Sequence, residues 1–245
     1  MDEDSARRQG WRGSGSTRLE ALVDAAFAFA VTLLVISADR IPDSMHSLLL
    51  ALKQVPAFAA SFALLSLFWY AHVRWSRRYR IDSVVATLLS LLLVFLVLVY
   101  VFPLRLLMGS FFAWITGGWL PMPLTDAVGP QQIAFMFVFY GFAFTSMSAC
   151  VGGLYLLAWR RRDDLRLSAA EAGEAAGEIA SYLFFCVVGL LSALVAALLP
   201  ADARPWQAGI PGFLYFLLSF TGLVHVLGRR LGLRRLAAVA EPAGA

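Results

Sequence analysis

Sixteen of the chain's 20 basic residues fall in four clusters separated by long apolar runs. The clusters are Arg7, Arg8, Arg12 and Arg18; Arg74, Arg77, Arg78 and Arg80; Arg160, Arg161, Arg162 and Arg166; and Arg229, Arg230, Arg234 and Arg235. Arg40, Lys53, Arg105 and Arg204 fall elsewhere, each near the opposite end of an apolar run. Loops on the cytoplasmic side of a membrane collect Lys and Arg. A cluster at every second loop therefore predicts an all-α integral membrane protein. Six transmembrane helices are expected, with both termini on the cytoplasmic side.

At 60% hydrophobic and 15% charged over 245 residues, the chain is too apolar for a soluble domain of its length. The expected spans are 21–38, 47–71, 82–107, 131–159, 179–199 and 210–228. Six helices of about 20 residues consume nearly all of the chain. The expected division is a disordered cytoplasmic tail over 1–17, a six-helix unit over 18–235 and a short C-terminal tail over 236–245. The net charge of +4 follows from topology and from attraction to anionic lipid, so no nucleic-acid partner is expected. Cys150 and Cys186 lie in apolar spans, which implies neither a disulfide framework nor a CxxC site. The run over 21–38 is long for a signal peptide, carries Asp24 and lacks an Ala-x-Ala site, so it is expected to be retained.

Within the second span Lys53 is expected to snorkel and Pro56 to kink the helix. Segment 108–130 holds Trp114, Trp119, two adjacent glycines and three prolines. It reads as a loop on the headgroups, with a re-entrant pore loop as the alternative. Gly141, Ser146, Ser148, Gly152 and Gly153 in the fourth span are small residues of the kind that let helices approach closely. Glu171, Glu174 and Glu178 recur at helical spacing and predict a solvated extension of the fifth span, or else an acidic vestibule. His46 and His225 have no acidic neighbours in sequence and are read as incidental. No internal duplication is visible, so an inverted-repeat transporter plan has no support.

The first span carries the most information. Leu22, Ala26, Phe29, Leu33 and Ile36 form one helical stripe flanked by Ala25 and Thr32, with Asp24 roughly opposite. A carboxylate in a membrane helix costs about 2.5–3.5 kcal/mol at the centre, so Asp24 needs a partner. His72 in Phe68-Trp69-Tyr70-Ala71-His72 matches it in depth, with Arg18 and Asp82 as further members of a polar cluster.

Arg18-x-x-x-Leu22-Val23-Asp24, followed by Phe27-Ala-Phe29-Ala-Val-Thr32-Leu33-Leu34-Val35, resembles the first helix of the transmembrane protein 175 family of potassium channels. The family hallmark there is Arg-x-x-x-Phe-Ser-Asp. Phe68-Trp69-x-x-His72, Arg74 and Ile81-Asp82 are similar to its second and third helices. The resemblance is clear over residues 17–107. It implies a single-unit bacterial member, assembled as a homotetramer in the plasma membrane, with the first helices lining a pore constricted by apolar rings. On that basis Phe29, Thr32, Leu33 and Ile36 are the expected pore-lining residues. Arg18, Asp24, Trp69, His72 and Asp82 form the expected structural polar cluster. Leu22 and Val23 replace the hallmark Phe and Ser, and Phe29 stands where the family usually has an aliphatic residue.

The expected function is passive permeation of potassium and other monovalent cations across the lipid bilayer. No Thr-Val-Gly-Tyr-Gly filter and no regular Arg series occurs, which leaves a hydrophobic constriction that gates by wetting. No cofactor, metal site or catalytic residue is expected, and the chain is not read as an enzyme. A non-conducting membrane scaffold or accessory subunit and a secondary transporter are the alternatives.

Overall fold

The computed structural model describes residues 18–36, 43–123, 129–200 and 203–240. The expected tail over 1–17, with Arg7, Arg8 and Arg12, lies outside them, as does Arg40. Among the described residues every regular element is helical, and six helical stretches are long and apolar enough to cross a membrane.

Helix α1 (Arg18–Ile36) has no Gly or Pro and buries Val23, Phe27, Ala30 and Leu34. The 4-3-4 spacing of these residues places them on one face. Helix α2 (Met45–Lys53) starts at a capping box, in which Ser44 and Ser47 side chains each accept the other's backbone N–H. It stops at Gln54, and α3 (Val55–Tyr79) restarts with Pro56 in its first turn, where a missing N–H is harmless. The kink expected at Pro56 is thus a break two residues earlier, at Gln54. Helix α3 runs well past the expected end at residue 71, carrying Arg74, Arg77 and Arg78 on helical backbone. Arg80, with φ 45°, closes it by donating its N–H to the Ser76 carbonyl.

Ser83 caps α4 (Val84–Ile115), which contains Pro103 and extends through residues expected to lie in the outer loop. The chain then turns at Gly117 and Gly118, whose φ of 61° and 84° suit glycine. Lys53 does not merely snorkel: its Nζ donates to the Trp119 carbonyl at 3.2 Å and sits over the indole. Helix α5 (Pro130–Arg160) leads to α6 (Ala169–Ala197), which opens with a Ser168–Glu171 capping box. The glutamate stretch is therefore continuous with the fifth span, as the spacing predicts. The last span is interrupted. It comprises α7 (Pro205–Ala208), α8 (Ile210–Phe213), a 3₁₀ segment (Leu214–Phe220) and α9 (Thr221–Ala240). Gly209, Pro211 and Gly212 prevent a regular ladder there, and Ser192 Oγ takes up the Pro211 carbonyl at 3.0 Å.

The most extensive helix contacts are α5 with α6 and α6 with α9. Small residues permit them. A Cβ on Gly141 would lie 2.5 Å from the Gly189 carbonyl, and one on Gly232 would lie 2.5 Å from Ala176 Cβ. Helix α1 sits at the other side of the bundle, against α3 and α4. Val23, Phe27, Leu34, Leu65, Phe68, Leu93, Val97 and Leu154 form the core where α1, α3, α4 and α5 meet.

Candidate permeation helix and its anchors

Because α1 packs through a single face, the opposite face is left open in the protomer. Leu22, Ala25, Phe29, Thr32 and Ile36 are exposed, with Phe29 at 56% and Ile36 at 67%. Leu33 differs from its expected companions: it is half-buried and packs against the core at the edge of that face. Thr32 keeps its hydroxyl occupied by donating to the Ala28 carbonyl at 2.9 Å. Near the N-terminal end the open face carries Ala21, Ala25 and Ala28 beside Leu22; near the C-terminal end it is bulky, with Phe29 and Ile36.

Asp24 lies beside this face and has the expected kind of partner, but the partner is Trp69. Indole Nε1 donates to Asp24 Oδ1 at 2.8 Å. His72, which the sequence places at matching depth, instead turns into the core. It is 2% exposed and hydrogen-bonded through Nε2 to Ser90 Oγ of α4 at 2.9 Å. Arg18 and Asp82 are exposed, and no side-chain bond to another described residue joins them to the pair. The expected five-member cluster is thus two separate contacts, Asp24–Trp69 and His72–Ser90. Glu20, which the sequence reading passed over, receives the Ser76 hydroxyl and gives α1 and α3 a further link. The Trp75 indole donates to the Leu154 carbonyl at 2.8 Å, tying α3 to α5.

Each of the three glutamates of α6 has a partner. Glu171 caps the helix, Glu178 pairs with Arg74 of α3, and Glu174 accepts from Arg229 Nε at 3.0 Å. Glu174 Oε2 also faces His225 Nε2 at 3.3 Å, so His225 is not incidental. Its ring occupies the space over Gly177, where a Cβ would lie 2.8 Å from it. The helical spacing of Glu171, Glu174 and Glu178 gave no hint of this, because the pairing is between helices. Around these residues lies a cleft of about 390 Å³ lined by Arg74, Glu178, Tyr182 and His225. No group of His, Cys, Asp and Glu suited to a metal ion occurs among the described residues.

The family model for the endosomal/lysosomal potassium channel TMEM175 matches residues 18–103, which hold α1, its anchors on α3 and most of α4. A Marivirga tractuosa protein named as a potassium channel is 32% identical, over 89% of each chain. The chain belongs to the TMEM175 family of potassium channels. A crystal structure of the potassium channel MtTMEM175, as a T38A variant with a nanobody–MBP fusion, superposes with a TM-score of 0.74. It is 30% identical and aligns over 90% of this chain and 94% of its own. The similarity thus extends through α5, α6 and the interrupted last span, and this TMEM175-family member is a multi-pass membrane protein. Its two departures from the family hallmark fall on different faces. Val23 is fully buried, where an alkyl group suits its surroundings, whereas Leu22 is 50% exposed on the open face.

Proposed function

We propose that this chain is the subunit of a homotetrameric, potassium-permeable cation channel in a bacterial plasma membrane, with both termini cytoplasmic. Four copies of α1 line the pore. The observation that carries the reading is the one-sided packing of α1: Val23, Phe27, Ala30 and Leu34 inward, Phe29, Thr32 and Ile36 outward. The small patch at Ala21, Ala25 and Ala28 suits close approach of neighbouring copies, since small side chains let helix backbones meet. Further along, Phe29 and Ile36 supply apolar rings, with Leu33 at their edge and Thr32 the one hydroxyl between them. A constriction of that kind selects and gates by the cost of stripping hydration from the ion.

Within this reading Asp24 and Trp69 are structural. They fix α1 on α3 from the side, so the open face stays turned toward the axis. The buried His72–Ser90 bond holds α3 on α4 behind them.

Flux of potassium, sodium and caesium into liposomes containing the purified protein tests the proposal, with Phe29→Ala and Ile36→Asn alongside the parent. Flux that responds to both substitutions, from a particle with the mass of a tetramer, is the expected result. A strictly monomeric protein, or a stable tetramer that passes no ion in any of the three forms, overturns it. Saturable uptake with counterflow would identify a transporter instead.

A further inference from the structure

The cleft of about 390 Å³ shares no lining residue with α1 or its anchors. Helix α6 forms its floor, α3 one wall and the start of α9 the other. Arg74 reaches from the α3 wall to Glu178 on the floor, and His225 from the α9 wall faces Glu174. At Gly222 a Cβ would meet nothing within 4 Å, so the cleft is open along α9. Its volume lies in the range of small-molecule sites, about 300–1,000 Å³.

The lining changes character along α6 in a fixed order. Glu174 and Glu178 come first, then Ser181 and Tyr182, then Phe185, running from the charged start of the helix into its apolar part. A soluble ion would use only the charged end, whereas a headgroup that carries acyl chains uses both ends in this order. The charges narrow the choice further. An anionic headgroup would find one lining guanidinium, Arg74, opposed by two carboxylates. A headgroup that is only cationic would compete with Arg74 for the oxygens of Glu178. One that carries both signs serves both sides of the cleft. Arg74 engages Glu178 through Nη2, which leaves further donors of its half-exposed fork for a phosphate. An ionised carboxylate accepts several hydrogen bonds, so Glu178 can take a second donor beside Arg74. A primary ammonium offers such donors, and a trimethylammonium offers none.

We propose that this cleft binds the headgroup of a zwitterionic aminophospholipid. The ammonium sits on Glu178 beside Glu174, the phosphate on Arg74, and the glycerol and acyl chains leave past Tyr182 and Phe185. The site is separate from the ion path, so its test reads binding and is independent of conduction.

The full chain, purified in detergent and stripped of lipid, is titrated with dioctanoyl phosphatidylethanolamine, phosphatidylcholine or phosphatidylglycerol. A fourth arm uses glycerophosphoethanolamine, which has the headgroup without acyl chains. Bound lipid is counted by native mass spectrometry, with the melting temperature as the check on folding. The parent is expected to hold phosphatidylethanolamine at one per protomer, about tenfold more tightly than phosphatidylcholine, the worth of one hydrogen bond to a charged group. Glu178→Gln keeps the side chain's size, removes that preference and moves it toward phosphatidylglycerol, because Arg74 is released. Gly222→Trp fills the cleft and lowers phosphatidylethanolamine binding by about tenfold or more at an unchanged melting temperature, while Gly222→Ala binds as the parent does. If Gly222→Trp does not fold, Glu178→Gln decides. Equal retention of the three phospholipids by the parent, or a preference that survives in every folded variant, overturns the site. Glycerophosphoethanolamine held as tightly as the diacyl lipid overturns a lipid ligand in favour of a soluble zwitterion.

Discussion

Trp69 and Asp24, 45 positions apart in sequence, meet at 2.8 Å, with the indole N–H donating to the carboxylate. A hydrogen bond to a charged group contributes about 1.5–3 kcal/mol when removed, and this one is partly open, so the lower half applies. Trp69→Phe is expected to cost about 1–2 kcal/mol of protomer stability. Asp24→Ala costs a similar amount, and the double substitution little more than either alone. Thermal melting of the detergent-solubilised protein, read by tryptophan-independent light scattering, checks this. Fully additive losses would mean that the two residues act independently.

That bond also marks how far the sequence could be read. Hydropathy located six spans because each run of α1, α4 and their fellows is long and apolar, and Asp24 was bound to have a partner because a bare carboxylate there is costly. Which partner was beyond reach. Trp69 and His72 are three apart on one helix, hence neighbours in depth, and only the packing of α3 against α4 turns His72 toward Ser90. Helix ends were misjudged for two reasons: hydropathy falls off after Ala71, yet Arg74, Arg77 and Arg78 sustain a helix well, and the segment beyond Leu107 reads as a loop from its Trp, Gly and Pro, though its first residues through Ile115 stay helical. The partners of Glu174 and Glu178 lie on other helices, where no local periodicity reports them. The break in the last span was signalled by Gly209, Pro211 and Gly212, whose combined effect an apolar average conceals.

His72 and Ser90 differ in what each leaves behind. A serine in a helix that loses its partner can turn to the carbonyl one turn back, as Ser61 does with Ala57 at 2.8 Å. The buried imidazole has no such local alternative. Ser90→Ala is therefore expected to destabilise by about 1–3 kcal/mol, and His72→Phe by less than a polar-to-apolar change usually would if the ring is accommodated. Denaturation midpoints of the two variants order them.

Close helix contact makes glycine tolerance strongly position-dependent. A Cβ at Gly141 meets the Gly189 backbone carbonyl at 2.5 Å, and backbone cannot yield as a side chain can. Gly141→Ala should cost about 1–3 kcal/mol or more through overpacking and reduce the yield of assembled protein. At Gly222 nothing lies within 4 Å, so Gly222→Ala should be neutral or stabilise by up to about 1 kcal/mol through helix propensity. Size-exclusion yield and melting temperature, measured in parallel, separate the two sites.

The ion pair between Arg74 and Glu178 is unequal in its surroundings, with side-chain exposures of 46% and 12%. Removing the arginine strands a largely buried carboxylate beside α3, whereas removing the carboxylate frees a guanidinium that already reaches solvent. Arg74→Met should then cost about 1–3 kcal/mol, and Glu178→Gln no more than about 1 kcal/mol. Melting in low and high salt tests it, and equal losses for both variants would refute the asymmetry.

Phe29 is the last case, and it bears on permeation directly. Its ring is 56% exposed on the open face of α1, one turn before the half-buried Leu33. In a tetramer with α1 at the axis, four such rings narrow the path more than four branched aliphatic chains would, and a narrow apolar ring excludes water. Potassium flux should rise in the order parent, Phe29→Leu, Phe29→Ala. Leu33→Asn should behave differently: with part of its side chain against the core, it loses stability as well as altering flux, because a half-buried amide is left without a set partner. Flux normalised to assembled tetramer distinguishes the two effects. Equal flux across the Phe29 series would place the narrowest point elsewhere on α1.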